Sequence, residues 1–167
     1  MNLIVRPASN SDCRFLYELR KTPQYQPYCY SPFEASYENH LHWFASRMSS
    51  PTPLLYICSI GDCSIGYVRF EPVILNEIYE ISFAMHLNVL GKGYSVPMVR
   101  SALDQFCTLL DSPKAIRIIA TAARANIASQ AVLAKLRFML NGQVVKPASC
   151  HTAREFTIFD KYTLIVK

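Results

Sequence analysis

The sequence predicts a mixed α/β fold in a single domain, residues 1–167, on three observations. The hydrophobic class makes up 51% of the residues, which is enough for one buried core at this length. Segments with strand-like alternation and segments with helical spacing follow one another in the order β-α-α-β-β-β-α-β-α-β-β. Neither a repeat nor a linker-like composition interrupts that order, so we expect seven strands and four helices.

The first third of the chain predicts a strand and two helices separated by a break. Residues 2–6 alternate weakly, and Ser9 to Asp12 offer N-caps for a helix with an apolar face. Residues 22–35 contain three prolines, which exclude a continuous helix, and three tyrosines. A second amphipathic helix is predicted from Tyr37 to the break at 49–51.

The middle of the chain predicts three consecutive strands. Leu54–Ile60 and Ser64–Glu71 flank a Gly-Asp turn and indicate a hairpin. Residues 77–86 form the third strand, with two different faces. Its apolar face consists of Ile81, Phe83 and Met85, and the opposite face consists of Glu80, Ser82, Ala84 and His86. The second face is too polar to belong only to the core.

The remainder alternates helices and strands. An apolar stripe from Val96 to Leu110 predicts a helix in which Pro97 occupies the first turn. The apolar pattern predicts a buried strand over residues 115–121 and a helix over residues 126–136. Residues 138–145 and 154–166 complete the chain as a pair of strands.

Composition narrows the class of partner. The excess of 17 Lys and Arg over 12 Asp and Glu is spread without a basic run, which favours anionic ligands over nucleic acid. No apolar run is long enough for a membrane span, and the N-terminus lacks a signal-peptide pattern. The six cysteines show no metal-type spacing. We therefore expect a cytoplasmic, reduced protein with no metal site and no membrane partner.

A glycine-containing turn is the strongest chemical signal. Gly91 and Gly93, two of only five glycines, lie between the third strand of the middle region and a helix. Such a turn presents backbone N–H groups and the positive end of the helix dipole, an arrangement that binds phosphate. The alternative is an ordinary turn that needs positive φ angles. The spacing matches neither the Walker loop nor the dinucleotide fingerprint.

Several segments together resemble a known family. These are Glu80-Ile81-Ser82-Phe83-Ala84-Met85-His86, Gly91-Lys92-Gly93-Tyr94, Asn126-x-x-Ser129 and Lys135-Leu136-x-Phe138. They resemble the GNAT superfamily of acetyl-CoA-dependent N-acetyltransferases. The N-terminal half, including 17–20, 40–44 and 65–69, resembles the branch of ribosomal-protein alanine acetyltransferases and acetyltransferases of nonulosonic-acid (pseudaminic-type) sugar synthesis. The resemblance implies a mostly antiparallel seven-stranded sheet with splayed central strands, and acetyl-CoA as cofactor.

The resemblance also implies where acetyl-CoA is held. The pyrophosphate would lie on the amides of Leu90 to Ser95, with Lys92 adding charge, and the pantetheine arm would pass the end of the third middle strand and touch Asn126. The implied cofactor-binding residues are Ala84, Met85, His86, Leu87, Leu90, Gly91, Lys92, Gly93, Tyr94, Ser95, Asn126 and Ser129. Unpaired edge amides of a splayed strand can bind the amide-rich arm and polarise the thioester carbonyl.

The chain departs from the family pattern at four positions. Leu90 stands where Arg or Gln is usual, and Ser95 replaces a Gly or Ala. Because backbone donors bind the phosphates, neither change is expected to abolish binding. Leu133 stands where many members carry a tyrosine thought to protonate the leaving thiolate, so that role is vacant or filled otherwise. Arg137 replaces the usual glycine before Phe138.

Glu80 is the first candidate for the catalytic base, acting directly or through water, because it lies on the polar face of the third middle strand. The alternative is a structural carboxylate paired with Arg69. His86 is the second candidate, or else a solvated strand end. Tyr25, Tyr28, Tyr30 and His40 are candidate acceptor contacts. For these the alternatives are a loop plugged into the core and a structural histidine.

Three functions remain open from the sequence. The first is acetyl transfer by direct attack to a primary amine of a small molecule, such as an amino sugar or nucleotide-linked amino sugar. The second keeps the chemistry but acetylates a protein N-terminus. The third is an acyl-CoA-binding module without turnover. The oligomeric state, monomer or homodimer, is not predicted.

Overall fold

The computed structural model describes residues 2–29, 35–110, 115–147 and 156–166. The strands are β1 (Leu3–Pro7), β2 (Leu55–Ile60), β3 (Cys63–Ile74), β4 (Ile78–Met85), β5 (Ile116–Ala123), β6 (Met139–Pro147) and β7 (Phe156–Val166). The α-helices are α1 (Cys13–Arg20), α2 (Tyr37–Met48), α3 (Ser95–Leu109) and α4 (Ile127–Lys135). Three short 3₁₀ helices cover Asn10–Asp12, Pro23–Tyr28 and Leu87–Val89. The predicted mixed α/β fold and its element order are confirmed.

The seven strands form one sheet in the order β1-β2-β3-β4-β5-β7-β6. All neighbours are antiparallel except β4 and β5, which run parallel. That parallel ladder is short, because it joins only residues 78–80 of β4 to residues 117–119 of β5. Beyond Glu80 and Ile119 the two strands continue without pairing, so the predicted splay lies at their carboxyl ends.

The helices cover opposite faces of the sheet. The larger core packs α3 and α4 on the face that contains the apolar side chains of β4. There Phe106 of α3 stacks on Phe70 with ring centroids 4.0 Å apart and meets Tyr79 edge-on at 4.9 Å. The smaller core packs α1 and α2 on the other face, where Ala84 and Tyr67 point. The two predicted faces of β4 are therefore turned towards different helical layers.

Gly66 allows α3 to approach the centre of the sheet closely. A Cβ atom at this position would lie 2.8 Å from the carbonyl oxygen of Ala84 and 2.9 Å from Sδ of Met98. Both distances are shorter than a van der Waals contact, so only glycine fits without displacing β4 or α3. The absence of a side chain thus sets the distance between the start of α3 and β4.

Two segments differ from the sequence-based expectations. Pro23–Tyr28 forms a 3₁₀ helix, in which Pro23 occupies the first turn, where a proline is tolerated, and Pro27 lies inside the helix. β3 extends to Ile74 across a register shift after Pro72, instead of ending at Glu71. Tyr30 lies outside the described residues, and so does Cys150. Within the described ranges, no helix combines the length and the apolar composition needed to cross a membrane.

Candidate active site

The candidate site lies at the carboxyl ends of β4 and β5, where the sheet opens. Ligands of open α/β sheets bind in such a crevice, beside the strands and the helix N-termini that follow them. Here β4 leads into the glycine turn and α3, while β5 leads into α4. The topology therefore brings three features of the sequence to one place: the polar face of β4, the glycine turn and Asn126.

The main chain of β4 offers hydrogen-bonding groups to the crevice. The N–H of His86 donates to the carbonyl of Ile65 at 2.6 Å, which fixes the alternation of the antiparallel ladder with β3. Phe83 and Met85 alternate with the residues that bond to β3, so their N–H and C=O groups face the gap beside β5. A Tyr25 hydroxyl donates to the Met85 carbonyl. The Met85 carbonyl therefore already has a partner. Buried backbone groups without one require a partner, and an amide-bearing ligand can supply it.

The glycine turn is built by left-handed backbone conformations. Gly91 has φ +74° and Gly93 has φ +82°, and a Cβ atom at either would meet no atom within 4 Å. The requirement for glycine here is therefore conformational rather than steric. These angles fit the alternative of an ordinary turn. The turn also leads directly into the N-terminus of α3, a position that binds phosphate in other proteins.

Two of the six amides expected to bind pyrophosphate are already used inside the turn. Leu90 N–H donates to the Leu87 carbonyl at 3.2 Å, and Lys92 N–H donates to the Val89 carbonyl at 3.4 Å. For the N–H groups of Gly91, Gly93 and Tyr94, the structure records no acceptor in the part of the chain that it describes. The first helical N–H, that of Ser95, has no acceptor within its own helix. The available donors thus form a smaller set than the sequence suggested.

The start of each helix is attached to the crevice. Ser95 Oγ contacts Met85 Sδ at 3.2 Å, which ties the first residue of α3 to the end of β4. Asn126 caps α4, and its Oδ1 accepts from the N–H of Ser129 at 3.1 Å. The cap uses only the amide oxygen, so its NH₂ group remains able to donate to a ligand. Lys92 is exposed at the rim of the glycine turn.

Glu80 lies half-buried where the β4–β5 pairing ends. Its Oε1 accepts from the Thr121 hydroxyl of β5 at 3.1 Å. Arg69, the partner considered from the sequence, donates instead from Nε to Ser82 Oγ at 3.1 Å. Its recorded ion pair is with Glu71, at 3.8 Å. A neutral hydroxyl group thus positions the Glu80 carboxylate.

His86 lies at the exposed end of β4. Its Nδ1 accepts from the N–H of Asn88 at 3.4 Å and thereby caps the short 3₁₀ helix that follows. This contact gives the side chain a local structural role. A role in proton transfer stays a prediction, as does cofactor contact for the neighbouring Leu87.

The tyrosines and His40 do not share one environment. Tyr25 is half-buried and binds the end of β4, so it borders the crevice. Tyr28 is 40% exposed at the end of its 3₁₀ helix. His40 is only 1% exposed, and its Nε2 donates to the Cys13 carbonyl at 3.3 Å. We therefore withdraw His40 as an acceptor contact, because α1 and α2 enclose its ring.

Sequence reasoning missed a cluster of charged and aromatic side chains beside Glu80. Arg47 of α2 pairs with Glu71 at 2.8 Å, and the Arg20 and Arg69 guanidinium groups both lie over the Trp43 ring. The alternation of Tyr67, Arg69 and Glu71 on β3, facing the polar residues of β4, was the available signal. Trp43, which packs against the α1–α2 core, thus also contacts this charged cluster.

The buried cysteine thiols near the candidate site are poor nucleophiles. Cys29, on the α1–α2 side of the sheet, is the thiol nearest to the charged cluster among those described, and burial raises its pKa although Arg20 and Arg69 oppose the shift. Burial also raises the pKa of Cys58, to about 11. Raised pKa values keep these thiols protonated and poorly nucleophilic.

Leu133 is 1% exposed in the larger core. In the ranges described, no three His, Cys, Asp or Glu side chains converge on a potential metal site.

Comparisons with known proteins agree with this geometry. A family model described as an acetyltransferase (GNAT) domain matches residues 2–139. No curated protein sequence matches the chain significantly. The fold is similar to three solved structures. These are yncA from Salmonella typhimurium with its cofactor acetyl-CoA (TM-score 0.81, 18% identity, 98% of this chain and 94% of that chain), spermidine N-acetyltransferase from Vibrio cholerae in complex with CoA and spermine (0.81, 17%, 98% and 95%), and an N-acetyltransferase from Staphylococcus aureus Mu50 (0.78, 16%, 100% and 100%).

Identities this low show a shared fold and say nothing about the acceptor. The family model, in contrast, covers most of the chain and both strands of the crevice. The chain therefore belongs to the GNAT family of acetyltransferases, and is an acyltransferase of a family that uses acetyl-CoA as its donor.

Proposed function

We propose that the protein transfers the acetyl group of acetyl-CoA to the primary amine of a small molecule, such as an amino sugar or a nucleotide-linked amino sugar. The observation that carries this proposal is the crevice itself. It combines unpaired main-chain groups of β4, free N–H donors in the glycine turn and the Glu80 carboxylate. The proposed cofactor supplies an activated thioester, and the protein supplies orientation and a proton acceptor.

The available donors support a position for each end of the cofactor. The N–H groups of Gly91, Gly93, Tyr94 and Ser95 would hold the pyrophosphate at the positive end of the α3 dipole. The main chain of Phe83 and the N–H of Met85 would bind the pantetheine amides, and Asn126 would donate from its NH₂ group. Ala84, between them, turns its small side chain towards the α1–α2 layer, where the acceptor would lie.

Glu80 would accept the proton that the attacking amine loses. The amine nitrogen forms a bond to the acetyl carbon, the carbon–sulfur bond breaks, and the proton passes to the carboxylate directly or through one water molecule. Thr121 orients the carboxylate for this step. Leu133 has no transferable proton, so the departing thiolate takes its proton from water.

Direct attack is favoured over an acyl-cysteine intermediate. A cysteine nucleophile needs a lowered pKa or an adjacent base. The pKa of Cys29 is instead raised by burial. Acetyl therefore passes to the amine in a ternary complex.

Glu80→Gln tests the assignment. Loss of a general base lowers kcat by about 10²–10⁴-fold. The measurement is thiol released from acetyl-CoA in the presence of an amine panel. Glu77→Gln is the matched control, because Glu77 is exposed on the same hairpin and should retain full activity. Equal rates for Glu80→Gln and wild type would remove Glu80 from the mechanism and leave the fold assignment intact.

Two other functions are separated by the same assay. A protein N-terminal acetyltransferase, as in the ribosomal branch, would release thiol with peptides and not with amino sugars. A non-catalytic acyl-CoA-binding module would bind acetyl-CoA but would not release thiol with any amine of the panel. The half-buried, aromatic surroundings of Trp43 and Tyr25 favour a small acceptor over an extended peptide.

A further inference from the structure

A tyrosine hydroxyl closes the end of β4 at the crevice. Tyr25 belongs to the 3₁₀ helix Pro23–Tyr28, and its hydroxyl donates to the carbonyl of Met85, 60 residues further along the chain. Met85 is only 3% exposed, and Tyr25 packs against the α1–α2 core. This hydrogen bond, the Tyr25 tether, thus lets the α1–α2 layer satisfy a buried carbonyl in the middle of the sheet.

The Met85 carbonyl points into the gap between β4 and β5. Residues of β4 that bond to β3 alternate with residues that face the gap, and the bond from His86 N–H to the Ile65 carbonyl places Met85 in the second set. A donor to a carbonyl oxygen approaches close to the plane of the peptide group, which here runs along the sheet. The Tyr25 hydroxyl therefore stands at the edge that faces the gap.

The 3₁₀ helix has local attachments besides the tether. Gln26 is 8% exposed, and its Nε2 donates to the Arg20 carbonyl at the end of α1 at 2.8 Å. Cys29 Sγ donates to the Tyr25 carbonyl at 3.3 Å. Burial raises the pKa of Tyr25, so its hydroxyl keeps its proton and remains a donor at neutral pH. The tether is the bond through which this helix reaches β4.

The proposed path of the cofactor meets the tether. The pantetheine arm would pass along the gap edge of β4 and bond to the main chain of Phe83 and the N–H of Met85. The Met85 carbonyl is the next group on the same edge, because both main-chain groups of one strand residue face one side. The arm carries amide N–H donors of its own. An arm N–H and the Tyr25 hydroxyl would therefore compete for one acceptor.

We propose that the pantetheine arm displaces the Tyr25 tether, with one amide N–H of the arm replacing the hydroxyl at the Met85 carbonyl. This inference rests on the proposed function and adds a specificity-determining residue to it. A nucleotide without the arm would bind the glycine turn and leave the tether closed. The tether thereby distinguishes coenzyme A from adenine nucleotides that share its phosphate groups.

Tyr25→Phe removes the hydroxyl and keeps the ring. The buried Met85 carbonyl then lacks its partner in the free protein, so a ligand that supplies one should bind more tightly. By isothermal titration calorimetry, we expect Kd for coenzyme A to fall by about three- to tenfold, which corresponds to one net hydrogen bond. Adenosine 3′,5′-bisphosphate lacks the arm, and its Kd should stay unchanged.

Tyr79→Phe is the matched control. The Tyr79 hydroxyl donates to Asn76 Oδ1 at 3.4 Å in the β3–β4 hairpin, at the other end of β4. This variant also removes a tyrosine hydroxyl from a structural hydrogen bond, but outside the crevice. Its Kd for coenzyme A should equal that of wild type. Thermal unfolding checks that both variants fold.

Hydrogen exchange on the wild-type chain provides a second measurement that needs no variant. Coenzyme A should slow exchange in the glycine turn and speed it in residues 22–29, because the 3₁₀ helix loses its bond to β4. Adenosine 3′,5′-bisphosphate should slow exchange in the turn alone. Tyr25→Phe should show the faster exchange in residues 22–29 before any ligand is added.

The two regions report on the two proposals separately. An equal or higher Kd for coenzyme A in Tyr25→Phe, or protection of the glycine turn without faster exchange in residues 22–29, overturns displacement of the tether and leaves the proposed function intact. Coenzyme A that neither binds nor protects the turn in wild type and Tyr25→Phe overturns both proposals. Tighter binding in Tyr25→Phe, confined to the ligand with the arm, supports displacement even where thiol release fails.

Discussion

At the scale of single residues, His40 shows how surroundings decide the role of an ionisable side chain. The centroid of the His40 ring lies 5.2 to 6.5 Å from those of Tyr17, Tyr37, Trp43 and Phe44. Burial lowers the pKa of His40, the charge of Arg20 lowers it further, and the bond to the Cys13 carbonyl opposes the shift only in part. The histidine therefore stays neutral and supports the packing of α1 against α2.

This burial predicts a pH-dependent stability. The unfolded chain binds a proton at His40 near pH 6.5, whereas the folded protein does so only at lower pH. As pH falls below 6.5, the unfolded state gains the proton first, and the free energy of unfolding decreases by up to about 1.4 kcal/mol per pH unit until the folded pKa is reached.

Urea unfolding between pH 7 and about 5 measures the slope. His40→Gln keeps an N–H donor but cannot titrate, so this part of the slope should disappear. His42→Gln, on the exposed side of α2, should keep it. Parallel profiles for His40→Gln and wild type would show that His40 does not control the slope.

Thr121 is a positioning residue at the same scale. Its hydroxyl is the recorded donor to Glu80, and it reaches the carboxylate from β5 across the end of the parallel ladder. Thr121→Val removes the donor with little change in shape and should lower kcat by about tenfold. Thr121→Ser restores the hydroxyl and should recover the rate. A Val variant as active as wild type would dissociate Thr121 from the reaction.

At the scale of elements, the end of α4 explains a departure from the family pattern. Arg137 has φ +66°, a left-handed conformation. Its N–H donates to the Ala134 carbonyl at 3.0 Å, and the Phe138 N–H donates to the Leu133 carbonyl at 3.0 Å. These two bonds form a Schellman cap, whose left-handed position favours glycine. The usual glycine is thus replaced at a conformational cost, and the position has no contact with the crevice that the structure records.

Arg137→Gly should therefore stabilise the protein. A left-handed conformation costs a non-glycine residue roughly 1 kcal/mol, so the free energy of unfolding should rise by about that amount. Lys135→Gly, in the last turn of the same helix, is the control and should lower stability by about 1 kcal/mol. Equal effects of the two glycines in urea unfolding would contradict the cap assignment.

Periodicity predicts the elements well and the site only in part. The order of strands and helices follows from local alternation, which is why even the two faces of β4 are predicted correctly. The contacts of Trp43 with Arg20 and Arg69 join α1, α2 and β3. These elements are distant in sequence, so no local pattern reveals the contacts. Likewise, the internal bonds of the Leu90 and Lys92 amides depend on turn geometry rather than on composition.

At the scale of the whole molecule, donor binding should be visible as stability. A ligand that binds only the folded state stabilises it by about 2.7 kcal/mol at a concentration of one hundred times Kd. We expect coenzyme A and acetyl-CoA to raise Tm in a concentration-dependent manner. No change in Tm at saturating coenzyme A would contradict the assignment of the crevice.

Two glycines in similar backbone conformations provide a matched pair for this measurement. Gly93, with φ +82°, and Gly61, with φ +57°, both have open space where a Cβ atom would lie. Alanine at either position should lower Tm of the free protein through backbone strain alone. Only Gly93→Ala should also reduce the increase in Tm caused by coenzyme A, because Gly61 lies in the β2–β3 hairpin.

The early end of the β4–β5 ladder has a consequence for divergence within the family. Every residue except proline carries both a backbone N–H and a C=O group, so most substitutions leave these recognition elements in place. The side chains of the same strands point into the two helical layers, where substitution can alter the acceptor without disturbing the common reactant. Chains that differ at more than four positions in five can therefore keep one architecture and still act on unrelated amines, as the neighbours at 16–18% identity illustrate for the architecture.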